Sequence, residues 1–131
     1  MSKRYQLVYL SRLAPTELPT CVAGIVHVAR LLNEIHKVSS LLIFDGGRFC
    51  QYLEGRHAEV ILLAERIRAD VRHIDFKLLY QAEFDGLPLL PGCGLEYALS
   101  YEFSLDHFEA VSGPGVIDLL RNVLPTLDRE P

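Results

Sequence analysis

Stretches of period-two and of period three-to-four apolar spacing alternate along this chain. YQLVYLS, from Tyr5 to Ser11, has apolar residues on both sides, Tyr5, Leu7 and Tyr9 against Gln6, Val8 and Leu10, which predicts a central strand. Pro15 and Pro19 end it, and Pro19 suits the first turn of a helix. From about Leu18 to His36 the positions Val22, Ile25, Val26, Ala29, Leu32 and Ile35 recur at helical steps and predict an amphipathic helix. The run LLIF at Leu41 to Phe44 stops at Asp45-Gly46-Gly47 and resumes as RFCQYLE, predicting a hairpin with a tight glycine turn. A second amphipathic helix is expected over His57 to Val71, with Val60, Leu63, Ile67 and Val71 on its stripe. Phe76 to Phe84 then alternates as a half-buried strand, with Phe76, Leu78, Tyr80, Ala82 and Phe84 sharing one face.

That order, β-α-β-β-α-β, predicts an α+β ferredoxin-like fold in which two helices cover one face of an antiparallel sheet. The Pro- and Gly-rich segment 86–92 is a loop, and Leu95 to Tyr101 adds a fifth strand. Two short helices, from Ser104 and from Pro114 to Leu124, are expected to cover the other face; only the last residues, Asp128 to Pro131, look like a tail.

Composition narrows the setting. At 131 residues, 50% hydrophobic and 23% charged, the chain is one globular unit able to bury a core. A net charge of −4 without basic runs argues against nucleic acid as a partner. No apolar segment approaches the roughly 20 residues of a membrane span, nor does the start resemble a signal peptide, so a cytoplasmic protein without a membrane partner is expected. Cys21, Cys50 and Cys93 lack CxxC spacing and read as reduced thiols, and the five histidines show no metal-ligand spacing.

Two amides carry the candidate chemistry. In RFCQYLE, alternation places Phe49, Gln51 and Leu53 on one face, so Gln51 is a lone amide among apolar neighbours. Either it bonds nearby backbone, or a polar side chain or ligand sits above it, because an unsatisfied buried amide costs roughly 1–3 kcal/mol. Asn33 lies at the edge of the first helix's buried stripe, where it either reaches into a pocket or stays solvated on the surface, the helix pattern alone favouring solvation.

Together, LVYLSR at Leu7 to Arg12, Asn33, the hairpin FDGGRFCQYLEG and IRADVRH at Ile67 to His73 resemble the BLUF domain, the family of blue-light sensors using flavin, over about residues 4 to 101. The resemblance implies a BLUF-like domain over 1–103 with a C-terminal helical extension over 104–131. It also implies a flavin, FAD or FMN, lying between the two helices above the sheet. Tyr9 would be the electron and proton donor, Gln51 would bridge its hydroxyl to the flavin edge, and Asn33 would hold the pyrimidine edge. Ile25 would pack against the ring; Arg66, Asp70, Arg72 and His73 would lie by the ribityl and phosphate end. The implied output is a hydrogen-bond rearrangement of about 1 kcal/mol, without substrate turnover, that biases two populated arrangements and is passed to the protein's own oligomer or to a separate downstream protein. The chain departs from the family where a Trp and a Met usually enter the fifth strand: it has no Trp, and Cys93 and Leu95 stand near those places. Ala29, Leu32 and Lys37-Val-Ser-Ser also replace usual residues. Two other classes compete: a flavin-free interaction module, and an acylphosphatase-type hydrolase using Arg12 or Arg72 with Asn33, which lacks a phosphate loop or a nucleophile-base pair. Cys93 as a redox thiol has no perturbing neighbour in sequence to support it.

Overall fold

A computed structural model describes residues 4–17, 19–85, 88–90, 94–100, 105–111 and 113–130. Strand β1 (Arg4–Leu13) is followed by a 3-10 turn (Pro19–Cys21) and helix α1 (Val22–His36). Then come β2 (Ser39–Phe44), β3 (Arg48–Gly55), α2 (His57–Arg68), β4 (His73–Phe84) and β5 (Gly94–Leu99). Two short helices, α3 (Asp106–Glu109) and α4 (Gly115–Val123), and strand β6 (Asp128–Glu130) complete the described chain. The first helix thus begins at Val22, and Leu18, Cys93, Tyr101 and Ser104 fall outside the described residues.

The strands form one sheet in the order β4-β1-β3-β2-β5-β6. Its first four members are antiparallel and follow the predicted ferredoxin-like arrangement. β5 pairs with β2 in parallel, so the sheet is mixed rather than antiparallel throughout. The expected tail at Asp128 instead pairs antiparallel with β5, giving that strand's outer edge a partner.

Alternation in the central strands sorts their side chains into two cores. Leu7, Tyr9 and Leu53 meet Val60, Leu63 and Ala64 of α2, while Leu42, Phe49 and Leu95 meet Val22 and Val26 of α1. On the reverse face Val8, Leu10, Leu41, Ile43, Cys50 and Tyr52 pack beneath Leu105, Phe108, Val116, Leu120 and Val123. The C-terminal helices therefore cover the second face. Arg48 fastens α3, its guanidinium forking to the carboxylates of Asp106 and Glu109. Both β1 and β3 are buried on two sides, which explains their near-continuous apolar sequences.

The predicted strand at Phe76 to Phe84, now β4, departs from simple alternation. Val8 pairs with Tyr80 but Tyr9 with Leu78, so one extra residue is accommodated opposite β1. This bulge changes the phase of β4. Phe76 faces the two large helices, whereas Leu79 and Tyr80 pack with the C-terminal core, so Phe76 and Tyr80 do not share a face. Ile35 and Val71, assigned to buried stripes by spacing, are exposed: Ile35 faces away from the side of α1 that carries buried Val22, Val26 and Asn33, and Val71 lies beyond the end of α2 at Arg68.

Lys37 ends α1 in the left-handed region, φ 55°, and its N–H and that of Val38 both bond the Asn33 carbonyl. Glycine is the residue suited to this position, and a side chain there costs about 1–2 kcal/mol. Lys37→Gly is expected to raise unfolding free energy by about 1 kcal/mol in urea titration. Truncating Phe108, which is fully buried, is expected to cost about 3–5 kcal/mol in the same experiment, with one cooperative transition for both faces of the sheet.

Candidate functional site

The helix-facing side of the sheet is open where α1 and α2 diverge. Tyr9 and Ser11 of β1, Leu42 of β2, and Phe49 and Gln51 of β3 line the resulting cavity from the sheet. Ile25, Val28, Ala29, Leu32 and Asn33 line it from α1; Leu63, Arg66 and Ile67 from α2; Asp70 and Arg72 from the segment leading into β4; and His73 from the first position of β4. Its atom-free space, open mouth included, is ≈ 680 Å³. All eight residues singled out from the sequence, Tyr9, Ile25, Asn33, Gln51, Arg66, Asp70, Arg72 and His73, border this one cavity.

β1 and β3 pair so that Tyr9 lies directly opposite Gln51. The Tyr9 hydroxyl donates to Gln51 Oε1. Both side chains are almost wholly buried. The Tyr9 ring stacks on Phe76 with centroids 4.5 Å apart, and His73 lies 6.4 Å away. The bulge in β4 brings Phe76 to that face. Burial, then the nearby Cys50 and Asp70, push the Tyr9 pKa well above 10, so the phenol keeps its proton.

Gln51 therefore bonds a side chain rather than backbone, and its Nε2 is buried without a partner. Asn33, expected on the helix pattern to be solvated, is wholly buried because α1 turns that side of its last turns onto the sheet. Its Nδ2 donates to Ser40 Oγ, and its Oδ1 has no partner. Ser11 Oγ is a third buried orphan on the cavity wall.

At the other end the Arg72 guanidinium grips Asp70, Nη2 to Oδ2 at 2.7 Å and Nε to Oδ1 at 3.0 Å. The Arg72 hydrogen bond holds the Asp70 pKa down, and Asp70 holds that of Arg72 up. The Arg72 carbonyl accepts from Ala14 N at 3.0 Å, which ties the segment to the end of β1. Arg66 is exposed at the mouth. Burial lowers the His73 pKa below its ordinary 6.5, outweighing the backbone hydrogen bond at Ile67 and the Asp70 charge.

The walls present apolar faces, three unpaired polar atoms and a charged end. These fit a flat heterocycle with polar edges and an anionic tail, as a flavin nucleotide has. Asn33 Oδ1 would accept from a ring N–H, Gln51 Nε2 would donate to a ring acceptor, and Arg66 and Arg72 would meet phosphate. Ser11, Leu42 and Phe49 were not singled out from the sequence, although each follows from period two: Ser11 from Tyr9, Phe49 from Gln51, and Leu42 by its pairing opposite Gln51. Cys21 is half-buried, and its thiol pKa is raised chiefly by burial, whereas Cys50 is buried in the reverse-face core.

The sequence profile of the BLUF family, described as sensors of blue-light using FAD, matches residues 5–86. The alpha subunit of a photoactivated adenylate cyclase from Euglena gracilis is 33% identical over 79 residues, 60% of this chain but 8% of that protein. Among solved structures, the BlsA photo-activated state superposes with a TM-score of 0.79 at 20% identity, covering 98% of this chain and 99% of that one. BlrB, a BLUF protein in its dark state, gives 0.79 at 21% identity, covering 96% and 98%. At such identity the likeness is one of fold. Klebsiella pneumoniae BlrP1 reaches 26% identity with a TM-score of 0.68, and the chain spans about a third of its length. With the profile matched from β1 through β4 and the Tyr9–Gln51 pair beside an open cavity, the chain belongs to the BLUF family of flavin-using blue-light sensors.

Proposed function

We propose that this chain is itself a blue-light photoreceptor holding FAD or FMN in the cavity between α1 and α2, with Tyr9 and Gln51 as its photochemical switch. The observation that carries the reading is the Tyr9–Gln51 hydrogen bond beside an unpartnered Gln51 Nε2. A bound flavin would supply the blue-light absorption and the electron-accepting power that no side chain here has.

Tyr9 is assigned the role of electron and proton donor, since its phenol stays protonated and its hydrogen already points at Gln51 Oε1. A half-turn of the Gln51 amide exchanges acceptor for donor toward Tyr9 and turns Oε1 toward the cavity. The two amide settings differ by about one hydrogen bond, about 1 kcal/mol, enough to shift a balanced equilibrium roughly fivefold. Asn33 is assigned the pyrimidine edge, Ile25 the ring face, and Arg66, Asp70, Arg72 and His73 the ribityl and phosphate end. A neutral His73 suits that place, because it leaves the pocket's charge to the arginines and Asp70.

β3 is the route by which such a switch reaches the remainder of the chain. Three residues from Gln51, and on the opposite face, Arg48 holds α3. Glu54, wholly buried, accepts from Leu90 N at 3.0 Å and pairs with Arg4 at 3.1 Å, anchoring the residues that precede β5. Residues 104–131 are accordingly inferred to be an extension that reads the sensor and passes its state to a second copy or to a separate protein.

Purified protein reconstituted with FMN or FAD is expected to show an oxidised-flavin band that shifts reversibly to the red under blue light. Tyr9→Phe should keep the flavin and lose the shift; a wild-type protein that binds neither flavin would overturn the proposal. A second expectation concerns acid. A group whose folded pKa is lowered takes up its proton more readily in the unfolded chain, so stability falls as pH drops below about 6.5. The loss continues down to the folded pKa, and His73→Gln should flatten that part of the profile in urea titrations.

A further inference from the structure

Asn33 is held in place from behind the cavity. Its backbone carbonyl accepts from Lys37 N and Val38 N, which fixes the last turn of α1. Its side-chain Nδ2 donates to Ser40 Oγ, and Ser40, wholly buried, borders no part of the cavity. Ser40 shares the helix-facing side of β2 with Leu42, which does line the cavity, so a hydroxyl stands at this one point of an otherwise apolar strand face. The partnership leaves Asn33 Oδ1 as a buried acceptor without a donor. A buried acceptor in that state selects for a ligand carrying an N–H and penalises one that lacks it.

We infer that Ser40 is a positioning residue for ligand recognition: by engaging Nδ2 it turns Asn33 Oδ1 into the cavity and makes the pocket select a ring edge that presents an N–H donor. This rests on the flavin reading above, in which the matching donor is the imide N3–H of the pyrimidine ring. Alanine at position 40 would leave the Asn33 amide free to turn, and the preference for an N–H would weaken without any cavity-lining side chain having changed.

The test compares binding of FMN and of N3-methyl FMN to the full-length apoprotein by quenching of flavin fluorescence. Wild type is expected to bind FMN roughly tenfold or more tightly than the methylated probe, as loss of one hydrogen bond to a buried acceptor implies. In Ser40→Ala the ratio should fall to roughly threefold or less. In an Asn33→Ala background the Ser40 substitution should leave it unchanged, which a merely structural role for the serine would not require. Were the amide reversed, methylation at N3 would cost wild type no more than it costs Asn33→Ala, the steric share of the methyl alone, and the inference would fail on that measurement. Equal ratios in wild type and Ser40→Ala, with FMN bound by both, overturn it while leaving the flavin reading intact; failure of wild type to bind FMN or FAD overturns both. Ser40→Cys, which keeps the volume and weakens the acceptor, repeats the comparison should the alanine variant not fold.

Discussion

A phenol and a carboxamide face each other across the β1–β3 pair, and much of the architecture serves to keep them there. Neither belongs on an apolar sheet face by itself, because a buried polar group without a partner is costly. Opposed in register, Tyr9 and Gln51 satisfy one hydrogen bond between them and leave the glutamine half satisfied. Close packing holds the pair in that half-satisfied state. Both strands are buried on two faces, and Phe76 is turned onto the Tyr9 ring by a bulge in the neighbouring strand. Bulges beside functional sites commonly re-aim a side chain in this way.

β3 has two roles at once, because its alternate residues look opposite ways. Phe49, Gln51 and Leu53 face the large helices, while Arg48, Cys50, Tyr52 and Glu54 face the C-terminal layer or its edge. A ligand-side change in Gln51 is therefore separated from the anchors of α3 and of Leu90 only by the thickness of one strand. The charged anchors are held by specific partners: Arg48 by Asp106 and Glu109, Glu54 by Arg4 and a backbone N–H. Removing the partners of Arg48 or Glu54 strands a charge that is largely buried, so these contacts tie β3 to α3 and to the residues before β5.

The departures from family pattern look different once packed. Leu95, near the usual Met position, is buried with Leu42, Val22 and Val26, so apolar volume is retained there while a thioether is absent. Lys37 takes up a left-handed turn that glycine would adopt without strain. Ser40, two residues past Val38, has become the partner of Asn33.

The amino-acid sequence by itself determined the order of elements, the two helix faces and the isolation of Gln51 among apolar residues, because these depend on periods of two and 3.6 that local spacing records. It also carried the family resemblance that pointed to all eight residues now found around one cavity. Tertiary structure decided the rest. The bulge that reverses β4 arises from pairing with β1, not from any residue of β4 alone. Burial of Asn33 and exposure of Ile35 depend on which side α1 turns to β2, and exposure of Val71 on where α2 ends. Partnership between Tyr9 and Gln51 needed the strand register, since a shift of one residue would have turned one of them to the opposite face.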